Sequence, residues 1–185
     1  DMVNMMMVGR LGPYAITAVG LTIQPKFVML SMFIALNTGT IALVARHIGE
    51  DDKRAAGDVM RQSLLLTMML AALVSIAGYI FAKDMIILMG GTGETIEAGE
   101  SYLKILMSGL LFTVLPLCIS AGLRGTGNTR APMRFNVAAN AINVIMSYLL
   151  IYGKFGFPAL GVNGAAISMV IGWCTASIMA VAALH

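Results

Sequence analysis

Five apolar stretches dominate the sequence and restrict the folds that it can adopt. They cover residues 14–45, 63–82, 102–123, 135–152 and 165–184. A helix needs roughly 20 residues to cross the hydrocarbon core of a bilayer, and each stretch is close to that length or longer. Charged residues make up only 11% of the chain, whereas soluble domains carry roughly 25%. The sequence therefore predicts an all-α fold, a polytopic membrane helix bundle that lies in the lipid bilayer.

Glycines, prolines and polar residues between the stretches indicate where the helices end. We predict a single transmembrane lobe over residues 1–185, with helices at about 1–8, 14–48, 55–82, 95–123, 131–153 and 161–184. The segment 84–89 is too short to span a bilayer, and we expect it at the interface. Residues 1–8 have the composition of the end of a helix. We therefore expect a truncated first helix and a chain that is a fragment of a longer protein.

Basic residues outside the apolar stretches divide unevenly between the two sides of the predicted bundle. Seven lie in two linkers and three on the opposite side: Arg46, Lys53, Arg54, Arg61, Arg124, Arg130 and Arg134 against Arg10, Lys83 and Lys154. The positive-inside rule places the richer side in the cytoplasm of a cell that carries this multi-pass protein in its inner or plasma membrane. The basic residues form no patch with aromatic partners, so we expect no nucleic-acid partner.

A polar face on the predicted helix at 131–153 is the strongest functional signal in the sequence. Asn136, Asn140, Asn143 and Ser147 are four, three and four residues apart, which places them within an arc of about 60° on a helix. Amides are costly in hydrocarbon unless a polar group or water lies opposite them. The face therefore predicts a water-lined cavity or a packed polar interface, and we expect Asn140 and Asn143 to line a cavity.

Other polar residues inside the spans are weaker candidates. Gln24, next to Pro25, either bonds the backbone carbonyl that the proline leaves without a donor or faces a substrate. Asn37 lies deep in the second helix. Both are candidates for a substrate cavity together with Asn136. Lys26 and Lys104 are expected to extend along their helices to the interface, as lysines near helix ends do.

Enzymatic chemistry has no support in the sequence. It contains neither a His-Glu-x-x-His nor a Gly-x-Ser-x-Gly motif, and His47 and His185 lack the spacing of metal ligands. We expect a protein that is not an enzyme and has no cofactor. Cys118 and Cys174 lie in apolar stretches, where a thiol usually acts as a small hydrophobic group.

Four segments at the predicted helix ends resemble one transporter family. They are GRLGPYAITAVGL at 9–21, ALVARHIGE at 42–50, LRGTGNTRAP at 123–132 and LLIYGKFGFPALGVNGAA at 149–166. Together and in this order they are similar to the amino-terminal half of the multidrug and toxic compound extrusion (MATE) transporters. The resemblance implies one six-helix lobe of a twelve-helix protein, whose partner is a carboxy-terminal lobe. It also implies alternating access driven by protons or sodium ions.

The resemblance further implies where a coupling ion binds. The family has an acidic residue late in its first helix and polar residues on its fifth and sixth helices. The matching residues are Asp1, Asn4, Asn140, Asn143, Ser147 and, more weakly, Ser168. Asp1 and Asn4 appear in reversed order relative to the family pattern, and Ser147 stands where an Asp is common. These departures leave open whether the coupling ion is a proton or sodium. Sodium is the only metal ion expected at this site.

The function implied is a secondary active antiporter that exports amphipathic or cationic small molecules, a multidrug efflux activity. The alternative is a lipid-linked precursor flippase of the same superfamily, which would need cations facing its cavity to hold a pyrophosphate. The only basic residues inside the spans are Lys26 and Lys104, and no arginine lies there, so the sequence gives this alternative little support. Taken alone, the fragment is expected to pack against its other half without activity of its own.

Overall fold

The computed structural model describes residues 2–9, 12–153 and 160–183, with side chains from residue 5 onward. This part of the chain contains helices and turns without β-strands. The helices are α1 Met2–Gly9, α2 Pro13–Gly49, α3 Lys53–Ile80, α4 Ala82–Leu88, α5 Glu94–Ser108, α6 Leu110–Gly125, α7 Arg130–Tyr152 and α8 Gly161–Ala182. The all-α prediction is correct, and the predicted helix ends at residues 1 and 184 lie outside the described residues.

Four helices, α2, α3, α7 and α8, are long and apolar enough to cross a membrane. The pair α5 and α6 would form a fifth span with a bend of 49°. This agrees with the five full spans expected from the apolar stretches.

Local signals explain most helix ends. Pro13 occupies the start of α2, where its missing N–H is not needed. At the start of α3 the Asp52 side chain accepts a hydrogen bond from the Ala55 backbone N–H at 2.9 Å, which caps the helix. Gly153 ends α7 in the left-handed conformation, with φ of 63°, and glycine adopts it without a Cβ penalty.

The break between α5 and α6 corrects the prediction of one continuous helix at 95–123. A Cβ on Gly109 would lie 2.5 Å from the Cγ2 atom of Val170, so α8 packs directly against the backbone at the bend. The Ser75 hydroxyl of α3 donates a hydrogen bond of 2.6 Å to the carbonyl of Met107. A carbonyl beside the bend is thus paired by a neighbouring helix.

Pro116 interrupts the hydrogen bonding of α6 about two turns after the break. As a proline it has no N–H to donate to the carbonyl of Phe112, four residues earlier. The Ser177 hydroxyl of α8 donates to that carbonyl instead, at 2.7 Å. Hydroxyls of α3 and α8 therefore satisfy backbone groups on both sides of the bend, which buried carbonyls in lipid require.

The largest core cluster lies where α5 meets its neighbours. Leu103 and Met107 of α5 pack there with Ile86 of α4 and Ala165 and Ala166 of α8. The short helix α4, expected at the interface, is anchored by this contact because Ile86 is fully buried. The remaining core joins α2, α3 and α6 on one side and α6, α7 and α8 on the other.

Candidate functional site

Small residues allow α8 to pack closely on α7. They recur every four residues on one face of α8 and are all buried: Gly164, Ser168, Gly172, Ala176 and Ala180. A Cβ on Gly172 would lie 2.8 Å from the carbonyl oxygen of Ala139 and 3.1 Å from the Cβ of Asn143. Such close approach is typical of small-residue stripes in membrane helices. It brings the backbone of α8 directly against the polar face of α7.

Three asparagines of α7 line one cavity. Asn136, Asn140 and Asn143 surround a space of about 60 Å³, which Met169 and Trp173 of α8 complete. This space, the amide cavity, exceeds the roughly 15 Å³ that one water needs. The predicted polar face thus lies against a cavity at three of its four positions. The binding of an ion or substrate there remains a prediction.

The fourth position of the polar face is a packed contact between helices. The Oγ atoms of Ser147 and Ser168 are 2.6 Å apart, and both residues are fully buried. Ser168 donates to the carbonyl of Ala165 at 2.8 Å. Either hydroxyl can be the donor in the contact between Ser147 and Ser168. The serine pair therefore joins α7 to α8 beside the amide cavity, nearer the carboxy-terminal end of α7.

Two residues predicted for the coupling site cannot be placed. Asp1 lies outside the described residues, and so does the side chain of Asn4. Helix α1 nevertheless contacts α7, because the Tyr152 hydroxyl donates a hydrogen bond of 3.1 Å to the carbonyl of Met7.

Two residues predicted for the substrate cavity lie elsewhere. Gln24 is exposed in a separate groove between α2 and α4, beside Pro25 and Asp84. Asn37 is buried on the inward face of α2, one turn from Phe33, which packs against α3 and α6. Neither is among the residues that line the amide cavity.

Lys26 lines two cavities. One, of about 110 Å³, it shares with Met169 and Trp173, and the other, of about 370 Å³, with Tyr102 and Phe27. The ammonium of Lys104 lies 2.6 Å from a Glu100 carboxylate oxygen on a partly exposed surface. Extension of the two lysines to the membrane interface stays a prediction. The position of Lys26 inside an apolar stretch marks it as a candidate for lining a cavity. The local sequence does not determine the direction of its side chain.

The three cavities adjoin one another. Met169 and Trp173 line both the amide cavity and the 110 Å³ cavity, while Lys26 and Leu30 line both the 110 Å³ and 370 Å³ cavities. We call this series the interior groove. It runs from the polar face of α7 to the space between α1, α2 and α5.

Comparison with known proteins decides the family. The MatE family model matches residues 1–149. The chain belongs to the MatE family. The predicted family, a MATE transporter lobe, is therefore confirmed, and relatives and solved structures of this family are named as transporters.

Individual MatE relatives match over almost the whole chain. The "Probable multidrug resistance protein YoeA" of Bacillus subtilis (strain 168) is 32% identical, over 92% of this chain and 37% of its own length. The "FAD transporter" of Shewanella oneidensis is 31% identical, over 91% of this chain and 37% of its own length. This MatE chain therefore spans less than two fifths of these curated relatives.

The fold agrees with the family. A solved inward-facing structure of a multidrug resistance MATE family transporter of the MOP superfamily superimposes with a TM-score of 0.91 at 27% identity. The superposition covers 99% of this chain and 41% of that one. Coverage of this size corresponds to one lobe of a larger MatE transporter, a multi-pass membrane protein.

Proposed function

We propose that this chain forms one lobe of a secondary active antiporter that exports amphipathic compounds in exchange for protons or sodium ions. The amide cavity is the observation that carries the proposal. Three amides around a space of about 60 Å³ are costly in a membrane span unless they bind water, an ion or a substrate. The names of several relatives, such as multidrug resistance proteins, support export of small molecules.

Coupling would occur where α7 meets α8. Asparagine and serine oxygens are suitable ligands for a hard cation, and Asn140, Asn143 and the serine pair offer several within one seam. Asn4 of α1 and Asp1, which precedes that helix in the sequence, would complete the set, since α1 packs against α7 through Tyr152. An ion drives transport only if it binds one arrangement of these helices more tightly than another.

A second lobe would supply the rest of the transport path. The chain covers about 37% of its relatives' length, which leaves room for a carboxy-terminal lobe of similar size. The flippase alternative has less support. A pyrophosphate is best held by several cations, and among the described residues that line the interior groove only Lys26 carries a charge.

The proposal is tested by gradients imposed on the full-length protein in proteoliposomes. We expect efflux of a fluorescent substrate to follow either a sodium gradient at constant pH or a pH gradient without sodium. Asn143→Leu should reduce gradient-driven efflux by tenfold or more, because a leucine cannot ligate an ion.

A matched variant controls for the loss of a polar group in a membrane helix. Thr38→Val removes a hydroxyl that bonds only within its own helix, to the Ile34 carbonyl at 2.9 Å, and should leave efflux unchanged. Efflux that responds to neither gradient, or an Asn143→Leu variant that remains fully coupled, would contradict the proposal.

A further inference from the structure

We infer that the interior groove binds an amphipathic aromatic compound with a negative charge, and that the Lys26 ammonium is the counter-charge. The inference rests on the proposed export function and names its substrate class. It replaces the expectation that cationic compounds are the preferred substrates.

Lys26 occupies the junction of the two larger cavities of the groove. It lines the 110 Å³ cavity with Met169 and Trp173, and the 370 Å³ cavity with Tyr102. A group bound in either cavity would therefore contact the same ammonium. The cavity of about 370 Å³ alone lies within the size range of pockets that hold small organic ligands, about 300–1,000 Å³.

The acidic residues of the described chain lie away from the groove. None of them is among the residues that line its three cavities. Four lie at or near the turn between α2 and α3: Glu50, Asp51, Asp52 and Asp58. The first turns of α5 carry three more, Glu94, Glu97 and Glu100. The last, Asp84, lies in the separate groove beside Gln24. Among the described residues the groove therefore carries the charge of Lys26 alone, which favours an anionic substrate.

The chemistry of an ammonium suits an anionic ligand. A lysine has three donor protons, so Lys26 can keep contacts within the protein and still bind a carboxylate, sulfonate or phosphate oxygen. In a low-dielectric groove such a charge-assisted hydrogen bond is stronger than one between neutral groups. An anion also offsets the cost of holding a cation at membrane depth.

Aromatic and amide side chains complete the site. Trp173 lies between the amide cavity and the 110 Å³ cavity, where its ring can stack on a planar substrate. Tyr102 is buried, with 3% of its surface exposed, and its hydroxyl contacts the Met169 sulfur at 3.4 Å. Amide donors from Asn136 and Asn140 lie beyond Trp173. An elongated aromatic anion can thus contact Lys26 at one end and amides at the other.

Two dyes with the same xanthene ring system and opposite charge test the inference: carboxyfluorescein, an anion, and rhodamine 6G, a cation. Binding to the purified full-length protein is measured by fluorescence anisotropy, and transport is measured in proteoliposomes. We expect carboxyfluorescein to bind more tightly. Lys26→Met should weaken its binding by at least about tenfold, the loss expected for a hydrogen bond to a charged group.

Two further variants separate the charge from the fold. Lys26→Arg keeps a cation and should retain carboxyfluorescein binding within about threefold. Lys104→Met removes a lysine that is already paired with Glu100 at the surface, and it should leave the binding of both dyes unchanged. A loss in Lys26→Met that Lys26→Arg does not share therefore reports on charge rather than on misfolding.

The outcomes distinguish this inference from the proposed function. Tighter binding of rhodamine 6G, or unchanged carboxyfluorescein binding in Lys26→Met, overturns the inference even if efflux is coupled to an ion gradient. If the anion binds through Lys26 but no gradient drives its efflux, the inference stands and the antiport proposal fails.

Discussion

The contact between α7 and α8 at Gly172 can be tested by adding one methyl group. In Gly172→Ala the new Cβ would lie 2.8 Å from the Ala139 carbonyl oxygen, whereas ordinary contacts begin near 3.4 Å. The two backbones would have to separate by about 0.6 Å, because a carbonyl cannot rotate away as a side chain can. A gap of about 0.5–1 Å removes about a quarter to a half of the dispersion energy of the contacts that open.

The expected cost follows from overpacking, which destabilises by about 1–3 kcal/mol. Alanine also raises helix propensity by about 1 kcal/mol relative to glycine. Gly39→Ala shares that gain but meets open space, since no atom lies within 4 Å of its Cβ position. The difference between the two variants therefore isolates the packing cost. At about 2–4 °C per kcal/mol for domains of this size, Gly172→Ala should melt several degrees below Gly39→Ala.

Thermal unfolding in detergent provides the measurement. A thiol-reactive fluorophore reports the exposure of Cys118, which is fully buried in the folded chain. If both alanine variants melted at the same temperature, α7 and α8 could not be in the close contact described. A lower melting temperature together with impaired efflux in Gly172→Ala would link the packing of this seam to the amide cavity beside it.

Two further predictions concern hydroxyl groups between helices. Ser177→Ala should lower the free energy of unfolding by about 1–3 kcal/mol, because the Phe112 carbonyl loses its partner. Adding Pro116→Ala to this variant should remove the loss, because the alanine N–H can donate to the same carbonyl. Chemical denaturation of the single and double variants checks both expectations. In a double-mutant cycle, Ser147→Ala and Ser168→Ala should show a coupling of about 0.6 kcal/mol, a common value for hydrogen bonds between membrane helices. Additive effects in that cycle would mean that the serines do not bond.

Helix positions could be predicted from the sequence because their signals are local. Apolar length fixed the spans, while Pro13 and Gly153 marked helix ends within a residue or two of where the structure has them. The break at Gly109 could not be predicted in this way. It depends on Val170 of α8 lying against that glycine, and such a contact is visible only when the bundle is assembled.

The site was predictable to the extent that helical periodicity determines it. Spacing alone placed Asn136, Asn140 and Asn143 on a common face, and they line a common cavity. Spacing could not tell that Ser147, on the same face, meets a serine of α8 instead of the cavity. The direction of Lys26 was equally hidden, because it depends on which face of α2 packs against α5.

The hydroxyl bonds at the bend between α5 and α6 limit which parts of the lobe can rearrange. Ser75 of α3 and Ser177 of α8 each hold one carbonyl of the bent span. Straightening the span would separate these carbonyls from the two hydroxyls. The Phe112 carbonyl would then lack a donor, because Pro116 has no N–H, and an unpaired carbonyl in hydrocarbon costs several kcal/mol. The bend therefore favours a lobe in which α3, α5, α6 and α8 keep their mutual arrangement, so that any rearrangement falls on other elements such as α1.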